Sequence, residues 1–124
     1  MKKITIIDGD ATIRLNVKDL LEINGFLVNE VDTIENLKGE VDLTTVLMIS
    51  DVPEKEGKST DDYFKKVNSS EAFNKIPTLF LTSSEQLKKL RGKVVKDSKF
   101  LIKPFNVDEL LFYTNFIINK PTIK

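Results

Sequence analysis

Apolar positions recur along the chain in two alternating rhythms. "KITIID" (3–8) is a short run rich in β-branched residues, as in a buried strand. "ATIRLNVKDLLEINGF" (11–26) then spaces Ile13, Val17, Leu20, Leu21 and Ile23 for a helical face, with Gly25 as its C-terminal stop. "FLVNEV" (26–31) alternates like a second strand, and "TIENLKGE" (33–40) predicts a short helix capped by Thr33. "TTVLMIS" (44–50) is continuously apolar after its threonines, the pattern of a strand covered on both faces.

The polar stretch "PEKEGKSTDD" (53–62) predicts an exposed loop. One helix follows over "DYFKKVNSSEAF" (62–73), with Tyr63, Phe64 and Val67 on its apolar face. "IPTLFLT" (76–82) predicts a fourth strand, "SSEQLKKLRGKVV" (83–95) a serine-capped helix, and "KFLIKPF" (99–105) a fifth strand. The last segment, "NVDELLFYTNFIINK" (106–120), predicts a helix with Asn106 at the N-cap, Glu109 completing a capping box and Pro121 ending it. Five strands alternating with five helices imply an α/β fold: a five-stranded parallel sheet, doubly wound as (βα)5, with right-handed crossovers. Its 124 residues suffice for one core, so residues 1–124 are expected to form a single domain.

Composition changes this picture mainly by exclusion. Nineteen basic and nineteen acidic residues balance, so no overall field draws the chain to nucleic acid or to a membrane surface. There is no cysteine, which rules out disulfides and thiolate metal sites and fits a reducing, cytoplasmic setting. There is no histidine either, so imidazole-based zinc sites and Ser-His-Asp chemistry are impossible within the chain. The apolar start stops at Asp8, too short for a signal peptide or a membrane span.

In a sheet of this kind, ligands bind at the carboxyl ends of the strands, near the point where strand order reverses. The predicted ends deliver Asp8, Gly9 and Asp10 from the first strand, Asp51 from the third, Thr82, Ser83 and Ser84 from the fourth, and Lys103 with Pro104 from the fifth. Hard oxygen donors suit magnesium, and a cation with hydroxyl donors suits a phosphoryl group. Each residue also has an ordinary role: acids in solvated turns, Asp10 as a helix cap, Thr82 as a β-former, Lys103 as surface. Their combination on one rim is what points to chemistry.

These stretches resemble the receiver domain of two-component response regulators over nearly the whole length. "KKITIIDGDATIR" resembles its opening strand and acidic pocket, and "VLMISDVP" the strand bearing the phospho-accepting aspartate. "IPTLFLTS" resembles the strand ending in the switch threonine, and "FLIKPFNVDELL", with its Lys-Pro pair, is the most specific match. The resemblance implies a flavodoxin-like fold and a non-enzymatic signalling module of phosphorelay signal transduction. In that module Asp51 accepts the phosphoryl group as an aspartyl phosphate, and Thr82 and Lys103 contact it. Asp8, Asp51 and the backbone carbonyl of Pro53 would hold Mg2+, with Asp10 as a further candidate ligand, and Phe100 would be the switch aromatic. It implies a sensor histidine kinase or phosphotransfer protein upstream, and a downstream protein partner, output domain or second receiver docking on helix four, strand five and helix five. The basic stripe of Lys88, Lys89, Arg91, Lys93, Lys96 and Lys99 lies in that region and equally suits a solvated face. No direct nucleic-acid or membrane contact is implied.

The sequence also departs from the family pattern. The second acid after the first strand, normally a direct metal ligand, is replaced by Gly9, so magnesium binding is expected to be weak or lost. Pro53 follows Asp51 by two residues where the family places its proline at four, and Ser50 stands where an apolar residue is usual. These changes define an alternative, a phosphorylation-independent pseudo-receiver acting as an interaction module. A remote alternative comes from "DGDAT", which also resembles the Asp-x-Asp-x-Thr motif of haloacid-dehalogenase-type phosphatases. There Asp8 would be the nucleophile and Asp10 the general acid and base, with Thr82 or Ser83 and Lys103 supporting. Asp108 and Glu109 are the only acids left to supply the required downstream pair.

Overall fold

The computed structural model describes residues 2–37, 44–53, 60–90 and 99–119. Five strands form one parallel sheet: β1 (Lys3–Ile7), β2 (Leu27–Val31), β3 (Thr45–Asp51), β4 (Thr78–Thr82) and β5 (Lys99–Ile102). Their order is β2-β1-β3-β4-β5, so the direction of winding reverses between β1 and β3. The helices are α1 (Ala11–Ile23), α2 (Thr60–Ser69), α3 (Glu71–Lys75), α4 (Ser84–Leu90) and α5 (Val107–Ile118). The expected α/β architecture is therefore the observed one.

Alternation along the strands divides the core into two layers. Ile4, Ile6, Leu47, Ile49, Leu79, Leu81 and Leu101 face α1 and α5, where Val17, Leu21, Leu110 and Ile117 close the layer. Ile7, Met48, Val52 and Phe80 face the opposite way, onto Tyr63, Phe64 and Val67 of α2 and Phe73 of α3. Phe80 is the hub of that second layer, with the rings of Tyr63, Phe64, Phe73 and Phe100 between 5.4 and 6.4 Å from its own.

Three local expectations are corrected. The single helix expected over 62–73 is two helices, because the Ser70 side chain caps a new one by accepting from the Phe73 N–H. The short helix after β2 is a 3-10 turn, Ile34–Leu37, in which the Thr33 carbonyl rather than a side-chain cap accepts from Asn36 N–H. Ile23 is not part of the buried face of α1: it is 83% exposed in the last turn, and Val17 and Leu21 are the buried residues. Gly25 does end that helix, at φ +92°, the left-handed region that glycine enters without a Cβ penalty. The Asn106–Glu109 capping box is formed in both directions. The expected loop at 54–59, the helix residues beyond Leu90, Arg91, Lys93 and Lys96 of the basic stripe, and Pro121 lie outside the described residues.

Candidate functional site

The carboxyl ends of β1, β3, β4 and β5 converge because the ladder continues past each strand into the residues that carry chemistry. Asp8 N–H donates to the Val31 carbonyl at 3.1 Å, Val52 N–H to Leu81 at 2.9 Å, and Lys103 N–H to Thr82 at 2.8 Å. Backbone bonds thus fix where the side chains start.

Asp51 and Lys103 are brought together. The Lys103 ammonium donates to Asp51 Oδ1, spanning the end of β4, and both side chains are mostly shielded from solvent. An ion pair so placed puts a positive charge where oxygens added to the Asp51 carboxylate would lie.

Asp8 is nearly inaccessible, at 3% exposure. Its Oδ1 accepts the Asp10 N–H at 2.8 Å, and its carbonyl accepts from Arg14 Nη1 at 2.6 Å. Its Oδ2 is buried with no hydrogen-bond partner. Burial pushes the Asp8 pKa up; the Asp10 amide and the Lys103 charge pull the other way. A buried carboxylate oxygen without a donor is what a cation would satisfy. Asp8, Asp51 and the Pro53 carbonyl offer the hard oxygens magnesium prefers, with water completing its shell. Among the described residues, no group of three or more Asp, Glu, His or Cys side chains stands ready to hold a metal ion. The donor set fits a hard cation that completes its shell with water.

Gly9 stands where a third carboxylate would complete the set. Its backbone is outside the left-handed region, and an added Cβ would meet only the Asp32 carbonyl, at 3.9 Å. The glycine is thus not required by the fold. Asp10 does not turn back toward Asp8. It is exposed, and its carboxylate caps α1 by accepting from Thr12 N–H at 2.9 Å and Ile13 N–H at 3.3 Å.

Thr82 is fully buried, and its hydroxyl donates to Gln86 Oε1 at 2.8 Å. The Gln86 amide nitrogen donates in turn to the Pro53 carbonyl at 3.0 Å. Gln86 was not among the sequence candidates; the stretch predicts only a serine-capped helix start, and the Ser83 hydroxyl does accept the Gln86 N–H at 3.1 Å. A second pairing that the sequence leaves unannounced lies beneath Asp51: buried Ser50 hydrogen-bonds the Tyr63 hydroxyl. Burial holds the Tyr63 pKa well above the ordinary phenol range, against the opposing pull of that bond. Phe100 packs inward, stacked on Phe80 with ring centroids 5.5 Å apart.

Two features weigh against the phosphatase alternative. Asp10, its general acid, is engaged as a helix cap. Asp108 and Glu109 lie in the first turn of α5, where Glu109 belongs to the capping box.

The fold, and the acids, threonine and lysine at its strand ends, are similar to those of response regulator receiver domains, modules of two-component signal transduction. Comparison with individual proteins agrees. The chain is 29% identical over 113 residues to protein PilG of Pseudomonas aeruginosa, spanning 88% of this chain and 82% of that one. It is 28% identical to the chemotaxis response regulator CheY4 of Vibrio cholerae, with a TM-score of 0.73 over 94% of this chain and 98% of that one. The receiver domain of HemR from Leptospira biflexa shares the fold, with a TM-score of 0.76 at 19% identity, covering 100% of this chain and 99% of that one. No family model matches the sequence.

Proposed function

We propose that the chain is a phosphoryl-accepting receiver in which Asp51 is the acceptor, Thr82 and Lys103 stabilise the added oxygens, and Phe100 responds through its packing on Phe80. The observation that carries this reading is the Lys103–Asp51 ion pair, made across the strand that ends in the buried Thr82. A carboxylate attacking phosphorus needs its own charge held in place and the new oxygens neutralised, and these groups supply both. Magnesium would be held by Asp8, Asp51 and the Pro53 carbonyl, weakly because Gly9 contributes no ligand, and would supply the remaining charge neutralisation. The domain acts without turnover of a substrate of its own, as residues 1–124 in one unit. It works in the cytoplasm, between a histidine kinase or phosphotransfer protein and a protein partner, output domain or second receiver. No helix among the described residues is long and apolar enough to cross a membrane.

A titration with magnesium and beryllofluoride, a phosphoryl mimic, followed by amide NMR, tests this reading. Shifts at Thr82, Phe100 and Lys103 that disappear in Asp51→Asn are expected. Silence up to millimolar magnesium overturns it. Gly9 favours the second reading, a pseudo-receiver that binds its partner without phosphorylation, and that reading predicts such silence.

A further inference from the structure

Gln86 ties together two groups assigned above to the phosphoryl site. Its orientation is fixed by chemistry: the Pro53 carbonyl can only accept, so the amide nitrogen must face it, and Oε1 must face Thr82. A threonine hydroxyl has one proton. In this structure that proton is given to Gln86 Oε1, at 2.8 Å, in a site fully closed to solvent at Thr82 and 93% closed at Gln86.

A phosphoryl group on Asp51 presents only acceptor oxygens. Thr82 can donate to one of them only by withdrawing its proton from Gln86. The glutamine oxygen then loses a buried donor, which is unfavourable unless the side chain moves. Gln86 lies in the first turn of α4 (Ser84–Leu90), and its own N–H is held by the Ser83 hydroxyl. Movement of the side chain is therefore passed to the start of that helix.

From this shared proton we infer that Gln86 is a positioning residue that holds the phosphoryl-free state: it competes with the phosphoryl group for the Thr82 hydroxyl, and its release moves the start of α4. The inference rests on the proposed phosphoryl reading and adds a residue to it. It also separates two properties that an ordinary packing residue would move together. Gln86→Met keeps the side-chain length but removes the polar contacts to Thr82 and Pro53, leaving the Thr82 hydroxyl the longer contact to the Ser83 carbonyl, at 3.5 Å, in the free protein. The free protein should then melt lower, while the bound form, in which Thr82 has a new partner, is spared.

The experiment compares wild type, Gln86→Met and Gln86→Glu by magnesium–beryllofluoride titration, thermal melting and NMR of the Gln86 side-chain amide. Expected are about tenfold tighter beryllofluoride binding by Gln86→Met together with a lower melting temperature of the free protein. Gln86→Glu, which keeps an acceptor for Thr82, should show no such gain, and in wild type the Gln86 side-chain resonances should shift on beryllofluoride binding. Equal affinities of wild type and Gln86→Met, or an unmoved Gln86 resonance in a wild-type protein that does bind, overturn the role of Gln86 and leave the phosphoryl reading standing. No binding by any of the three proteins overturns both.

Discussion

Lys103, at the end of an edge strand, reaches across β4 to the carboxylate of Asp51 on β3. The pair holds a negative charge in a mostly shielded place and orients it. In Lys103→Met, Asp51 loses the Lys103 charge, and Asp8 loses one of the charges that lower its pKa. Beryllofluoride affinity should fall by about 100-fold, as expected when a charge-assisted contact to a phosphoryl-like group is removed. Isothermal titration at fixed magnesium measures it; a loss of less than threefold would mean that the ion pair serves the fold alone, on the order of the weak contribution of exposed pairs.

Gly9→Asp should be accepted by the fold, because the backbone there is unstrained and the nearest atom to a new Cβ is in ordinary contact. A third carboxylate beside Asp8 and Asp51 raises repulsion in the absence of metal and the benefit of binding it. The variant should melt lower than wild type without magnesium and gain more from magnesium, with affinity rising by about tenfold or more. Melting curves with and without the ion decide this; an unchanged magnesium response would show that the neighbouring oxygens are not arranged around a cation.

Asp8 makes stability depend on pH in a definite direction. Its folded pKa is raised above the ordinary 3.8 by burial, so the folded state holds the proton more tightly than the unfolded chain. Below the unfolded value the carboxyl is protonated in both states and contributes nothing. Between that value and the raised folded one the unfolded chain ionises first, so stability falls as pH rises, and the loss is complete once pH passes the folded value. Without magnesium, Asp8→Asn should match wild type at pH values below the unfolded pKa and be the more stable of the two at neutral pH. Urea unfolding across this range tests the sign; a variant less stable than wild type at neutral pH would refute it.

The Ser50–Tyr63 contact joins β3 to α2 one residue before Asp51. Tyr63→Phe leaves the Ser50 hydroxyl its weaker bond to the Asp51 carbonyl, at 3.3 Å, and should cost about 1 kcal/mol. Ser50→Val strands the buried Tyr63 hydroxyl and should cost about 1–3 kcal/mol. The double variant should lose less than the sum of the two, because it removes both partners together. Strict additivity in a denaturant series would mean that the two hydroxyls do not interact.

Much of this was legible in the chain because burial writes itself into pattern. The continuous run of "VLMIS" identified the central strand, and the strand ends named Asp8, Asp51, Thr82 and Lys103 before any geometry. The structure brings Asp51 and Lys103 into contact and buries Thr82 and Asp8 nearby. What escaped the pattern is what depends on direction within a turn. Ser70 could continue a helix or cap a new one, and only its bond to Phe73 N–H decides. Gln86 sits in a serine-capped helix start in sequence, yet its amide reaches Thr82 and Pro53, a choice set by tertiary contact. Tyr63 fits an apolar face by spacing, and its hydroxyl is noticed only when Ser50 is found opposite.

The order of strands in space differs from their order in time. During synthesis β1 appears first, yet it ends in the interior of the sheet, with β2 on one side and β3 on the other. From β3 onward each new strand adds to the outside of the one before, and Lys103 follows the last of them. A nascent chain that has released Asp51 but not β5 therefore carries this carboxylate without the Lys103 ammonium. The Asp51–Lys103 pair forms only when the final strand docks, so on the proposed reading the capacity to respond to a signal is acquired at the end of folding.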